Sequence, residues 1–215
     1  MSVNLDKATT RNLLDGLRSY VATFEDQRDA ARAQDALALT ESSEHHAHAI
    51  LFGEALPRLQ TYSFITLLTV IIESRLTVYC RTVREDHGLP RYLTDFEGQF
   101  LNRAWSFLTE EVHATPPAEL WNWAQDIFTV RDCIVENAGN VSLMDQPSQR
   151  ALQQVVRRRP GLGIAPDEIL FNCAPHASLR TEYVLGVETE FCTEAVTATQ
   201  GLFGFLYQHR VPGAT

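Results

Sequence analysis

The chain has 215 residues, 45% of them hydrophobic and 21% charged, with a formal net charge of -9 at pH 7. That much apolar material can bury a core, which excludes a disordered chain. The acidic balance excludes a broad basic face for nucleic acid, because such binding rests on many Lys and Arg side chains neutralising phosphates, so any RNA contact has to be local.

The opening residues, with Asp6, Lys7, Arg11 and Asp15, lack the apolar core of a signal peptide. No apolar run approaches the roughly 20 residues that span a bilayer, so a soluble, cytoplasmic protein without a membrane partner is expected. Cys80, Cys133, Cys173 and Cys192 are far apart and form no Cys-x-x-Cys pair, which suits reduced thiols in that compartment.

Leu13, Leu14, Leu17, Val21 and Phe24 predict a helix from about Leu5 to Leu39. Its second half, Glu25 to Asp35, favours helix but carries a thin apolar stripe, and its alanines are expected to pack on a partner chain. Ser42 or Ser43 can cap a second helix that runs to about Leu56 and stops before Pro57. His45, His46 and His48 lie there, and His45 and His48 share a face. Zinc takes three or four convergent ligands, so a solvated or locally bonded cluster is expected and no metal.

The strongest signal follows, from about Arg58 to Asp86. Phe64, Leu67, Leu68, Ile71, Ile72, Leu76, Tyr79, Cys80 and Val83 recur at helical spacing and predict the central core helix, with Glu73, Arg75, Arg81 and Arg84 on its other side. His87-Gly88-Leu89-Pro90 stops it. Asp95 to His113 is predicted as a third core helix, with Phe96, Phe100, Leu101, Ala104, Trp105 and Leu108 on one face.

After Thr115-Pro116-Pro117 a helix is expected from about Ala118, with Leu120, Ala124, Ile127, Phe128, Ile134 and Val135 as its apolar positions and Asn137 to Gly139 as its end. Trp121 and Trp123 on it either stack on RNA bases or pack into the core, where each indole removes a large area from water. A helix from about Pro147 to Arg159 ends in Arg157-Arg158-Arg159, the one basic run in the chain. Those arginines are either a solvated helix end, where cations are favoured, or a phosphate contact and hence candidate RNA-binding residues. Gly161 to Asn172 reads as a loop or small hairpin. Cys173 and His176 supply only two ligands, and Leu179 to Gln208 predicts a final helix. Strand signals are nearly absent, so the fold class expected is all-α, an antiparallel helical bundle.

One run within this pattern, Arg131-Asp132-Cys133-Ile134-Val135-Glu136-Asn137-Ala138-Gly139, resembles the motif of HEPN-domain proteins. In that family an Arg, commonly a polar residue after it, and a His about five positions on form a ribonuclease site. Against the family version Arg-Asn-Cys-Ile-Val-His-Asn-x-Gly, residues Arg131, Cys133, Ile134, Val135, Asn137 and Gly139 match, Asp132 fills the polar position, and Glu136 stands where the His belongs. Glu73-Ser74-Arg75-Leu76 resembles a second family segment, and the likeness in layout covers about Pro57 to Tyr207.

The resemblance implies a HEPN-like antiparallel helical bundle over residues 57–215, preceded by an N-terminal helical extension over residues 1–56. It implies a homodimer whose two motifs meet at the two-fold interface, with cleavage of RNA that needs no metal or cofactor. Arg131, Asp132, Glu136 and Asn137 are then the site positions, and Glu73 is a candidate orienter of Arg131. Such cleavage needs a base for the ribose 2′-hydroxyl, an acid for the departing 5′-oxygen and positive charge for the phosphate. An ordinary glutamate, with a pKa of about 4.3, serves poorly as the acid, and its charge repels the substrate. The expectation is an Arg131–Glu136 ion pair, buried or interfacial, unless His113 or His176 replaces the missing imidazole. The function expected is a catalytically degraded relative of these endoribonucleases, acting as an RNA-associated, regulatory or scaffold subunit with a partner protein in a bacterial toxin or antiviral defence system. The alternative is an active, toxin-type endoribonuclease with an altered motif.

Overall fold

The computed structural model describes residues 3–37, 55–167 and 182–209, and among them six α-helices and one two-stranded sheet. In chain order these are α1 (Val3–Leu37), α2 (Leu56–His87), α3 (Phe100–Ser106), α4 (Ala118–Asn137), α5 (Gln146–Arg158), strands β1 (Leu162–Pro166) and β2 (Tyr183–Val187), and α6 (Thr189–Gln208). The predominantly helical class expected from the periodicity is what is found. The expected helix from Ser42 and the histidines at 45, 46 and 48 lie outside the described residues, as do Cys173 and His176.

The chain divides into two compact units, one of residues 1–17, 67–127 and 195–215, the other of residues 18–66 and 128–194. In the first, Leu14, Leu68, Ile72, Leu76, Phe107 and Phe203 are buried; burying each such side chain is worth roughly 1.5–3 kcal/mol. A polar knot sits among them. The Asp6 carboxylate accepts from Arg75 Nη1 at 2.7 Å and from the Tyr207 hydroxyl at 2.6 Å, and that hydroxyl also meets Thr10 Oγ1 at 2.8 Å. Near it, Tyr79 donates to the Leu206 carbonyl at 3.0 Å.

The predicted helix from Asp95 to His113 is shorter than expected. Leu93–Asp95 is a separate 3-10 turn, Gly98 has a φ of +96°, and α3 starts only after the extended Gln99. It then widens into a π-helical turn over Phe107–Glu111, where the Val112 N–H reaches the Phe107 carbonyl five residues back. Arg91 holds that turn by pairing with both Glu110 and Glu111 while lying over the Phe96 ring. His113, at a φ of +54°, ends it.

In the second unit Phe24, Phe64, Ile65, Val130, Leu152 and Leu185 are buried. Strands β1 and β2 pair antiparallel, with Leu162 opposite Val187 and Ile164 opposite Leu185. This corrects the expectation of a helix from Leu179: residues 183–187 form a strand, and α6 begins at Thr189. Val184, Val187 and Phe191 have helical spacing, but Tyr183, Val184 and Val187 favour the pleated surface and Gly186 weakens a helix, so pairing with β1 wins.

By length and composition α2 is apolar enough to cross a membrane, contrary to the expectation that no such run exists; half of its most apolar window is buried within the protein.

Candidate functional site at the end of helix α4

The motif residues sit in the last two turns of α4, where the helix stops in a way that fixes its neighbours. Ala138 and Gly139 both adopt the left-handed region, at φ +52° and +79°. The Gly139 N–H then reaches back to the Cys133 carbonyl at 3.0 Å, and Asn140 N–H to the Asn137 carbonyl at 2.8 Å, which satisfies carbonyls a helix end otherwise leaves bare. Gly139 is required for a second reason. A Cβ there would lie 2.1 Å from the Tyr62 hydroxyl.

That hydroxyl donates to the Leu185 carbonyl, while the Leu185 N–H donates to the Gly139 carbonyl at 2.9 Å. The end of α4, the start of α2 and strand β2 are therefore tied at one point. Asn140 extends the tie: its side-chain Nδ2 donates to Glu182 at 2.7 Å and its side-chain Oδ1 accepts from the Ser142 N–H at 2.9 Å. Below it, Arg58 pairs with Asp167 at 3.3 Å. Burial raises the Tyr62 hydroxyl above its ordinary value despite the opposing Arg58 charge, with Cys133 and Asp167 raising it further, so it stays a donor. Burial likewise pushes the Cys133 thiol up to about 11, which leaves it unreactive.

Arg131 and Asp132 lie on the outer side of this anchored helix end. Their side chains pair at 2.8 Å, and 33% and 37% of their surfaces remain accessible. The expected pair between Arg131 and Glu136 is not formed, and among the described residues Arg131 has Asp132 as its ion-pair partner. The helix explains why: five residues turn through about 500°, which leaves the two side chains about 140° apart. Glu136 is exposed and Asn137 half-buried. Glu73, the candidate orienter, belongs to the other compact unit and makes no hydrogen bond or ion pair among the described residues.

The basic run divides. Arg157 and Arg158 are exposed, but Arg159 is only 8% accessible and is held by other interactions, so it is no outward phosphate contact. Trp121 and Trp123 are buried, which fits packing; the Trp121 ring lies 5.1 Å from that of Trp105. His113 is exposed, and the described part of the unit carrying the motif contains no histidine. No cluster of three or more His, Cys, Asp or Glu suited to a metal occurs among the described residues.

Tyr62 is the residue sequence reasoning missed. Its signal was a hydroxyl on the buried face of an apolar helix, which has to find an acceptor. Comparison with protein-family models, with curated proteins and with solved structures finds no match.

Proposed function

We propose that this chain is a HEPN-like, homodimeric relative of metal-independent endoribonucleases that has lost catalysis and serves as an RNA-associated or scaffold subunit, with a partner protein, in a bacterial toxin or antiviral defence system. The observation carrying this reading is the state of the motif arginine. Its guanidinium is neutralised by Asp132 at 2.8 Å, and the position where an imidazole would move protons holds an exposed carboxylate. Arg131 retains enough accessible surface to meet a phosphate, because a planar guanidinium has five donors and one carboxylate cannot occupy them all. Neither Asp132 beside it nor Glu136 at the histidine position replaces an imidazole that passes protons, and loss of one acid or base costs about 10² to 10⁴ in rate.

The test is cleavage of single-stranded RNA in the presence of a chelator by the wild type, Arg131→Ala and Glu136→His. The wild type is expected to leave the RNA intact and Glu136→His to gain activity. Cleavage by the wild type that disappears in Arg131→Ala would overturn the reading and make the chain a working endoribonuclease.

A further inference from the structure

The two edges of the small sheet differ. In the β1–β2 ladder, Gly161 accepts from Glu188 and the Asp167 N–H donates to the Glu182 carbonyl, which places the bonded pairs at residues 161, 163, 165 and 167 of the first strand. The backbone groups of Leu162, Ile164 and Pro166 therefore point away from β2. On the far side of β2 the outward groups of Leu185 are taken by Gly139 and Tyr62, and the Tyr183 N–H by Ser142 Oγ. On the outer side of β1 none of the outward groups has a partner among the described residues. An open edge of this kind is a template for another strand.

We propose that this edge pairs with the same edge of a second copy, antiparallel about a two-fold axis through Ile164. The pattern is self-complementary. Ile164 exchanges both of its bonds with its own counterpart, and each Leu162 N–H reaches the other copy's Pro166 carbonyl, making four hydrogen bonds. Pro166 has no N–H, so the ladder ends there and closes as a dimer. Charge agrees with this occupant. The strand itself is uncharged; exposed Arg157 and Arg158 precede it, and Asp167 lies beyond its far end, paired with Glu182 across the ladder. An antiparallel copy sets Gly161 opposite Asp167, whose charge Arg58 of its own chain already balances, so no like charges are forced together along the ladder. Because the ladder is short, association is weak and rises with concentration. This inference rests on the homodimer proposed above and gives it an interface at the β1 edge in place of one centred on Arg131; the loss of catalysis and the RNA association read from the motif do not depend on it.

Cysteine scanning tests it, in full-length chain with Cys173→Ser. Opposed Cα atoms of a bonded pair are about 5.5 Å apart, within the roughly 4.4–6.8 Å a disulfide spans, so Ile164→Cys is expected to give a cross-linked dimer on mild oxidation. Leu162→Cys is expected to give none, since its counterpart lies four residues along, about 13 Å away at about 3.3 Å per residue. Ile164→Pro removes the outward N–H without touching a bond to β2; it is expected to abolish self-association in sedimentation while leaving the circular dichroism unchanged. A wild type that is monomeric at every concentration, equal cross-linking at both positions, association undiminished in Ile164→Pro, or a monomer that takes an extended peptide instead would each overturn the proposal.

Discussion

Two arginine–aspartate pairs of nearly equal length sit in very different surroundings. Arg75 meets Asp6 at 2.7 Å with side chains 13% and 2% accessible, whereas Arg131 meets Asp132 at 2.8 Å with 33% and 37% accessible. Distance alone would rank them together, but burial separates them. In the first, water is excluded and the carboxylate is completed by the Tyr207 hydroxyl, so the pair is a structural tie among α1, α2 and α6. In the second, solvent screens the attraction and still reaches the guanidinium, so the pair holds little structure and can be exchanged for another anion.

Breaking the buried pair gives the largest effect. Arg75→Ala leaves the Asp6 carboxyl shut away from water without its cation, and removing one partner of a buried pair typically costs about 3–5 kcal/mol. Urea unfolding of the variant is expected to show a loss of that size. A loss below about 1 kcal/mol, the range of exposed pairs, would mean that the two pairs do not differ as their burial implies.

The helix end that presents Arg131 is sharpened by a second, intermediate test. Gly139→Ala forces a side chain into the left-handed region, which costs about 1–2 kcal/mol for an ordinary residue, and drives a Cβ to 2.1 Å from the Tyr62 hydroxyl. The expected loss is about 2–4 kcal/mol once both effects are counted. Denaturation curves check it. Gly88→Ala is the control, since Gly88 has a φ of +63° but open space around it, and it should lose only the conformational part.

These two sites also mark how much of the fold the order of residues carries by itself. The buried stripes of α2 and α4 were legible because apolar residues at i, i+3 and i+4 have one common explanation, and Asn137 to Gly139 stopped the helix where the turn signals placed it. The hairpin was only half legible: Gly161 to Pro166 carries turn residues, while its partner strand shares helical spacing with α6, so local pattern could not choose. The partner of Arg131 was misassigned because motif spacing ranks residues by sequence position, and helix geometry turns Glu136 away while Asp132 stays within reach. Tyr62, with its bond to a strand more than a hundred residues on, depends on tertiary contact and leaves almost no trace in the order of residues.

The smallest effect on stability is the most telling for function. Asp132→Asn removes the charge beside Arg131 but keeps the shape, and an exposed pair contributes only about 0–1 kcal/mol, so unfolding should hardly change. Binding should respond in the opposite sense. With its counter-ion gone, the guanidinium is expected to hold short single-stranded RNA several-fold more tightly at low salt, and the gain should fade as salt is added, because it comes from one phosphate contact. Titration with a labelled oligonucleotide at two ionic strengths checks both parts. If Asp132→Asn unfolds the protein as readily as Arg75→Ala does, the exposed pair is structural. If binding is unchanged at every salt concentration, Arg131 is not a phosphate ligand, and the RNA association proposed for this helix end fails with it.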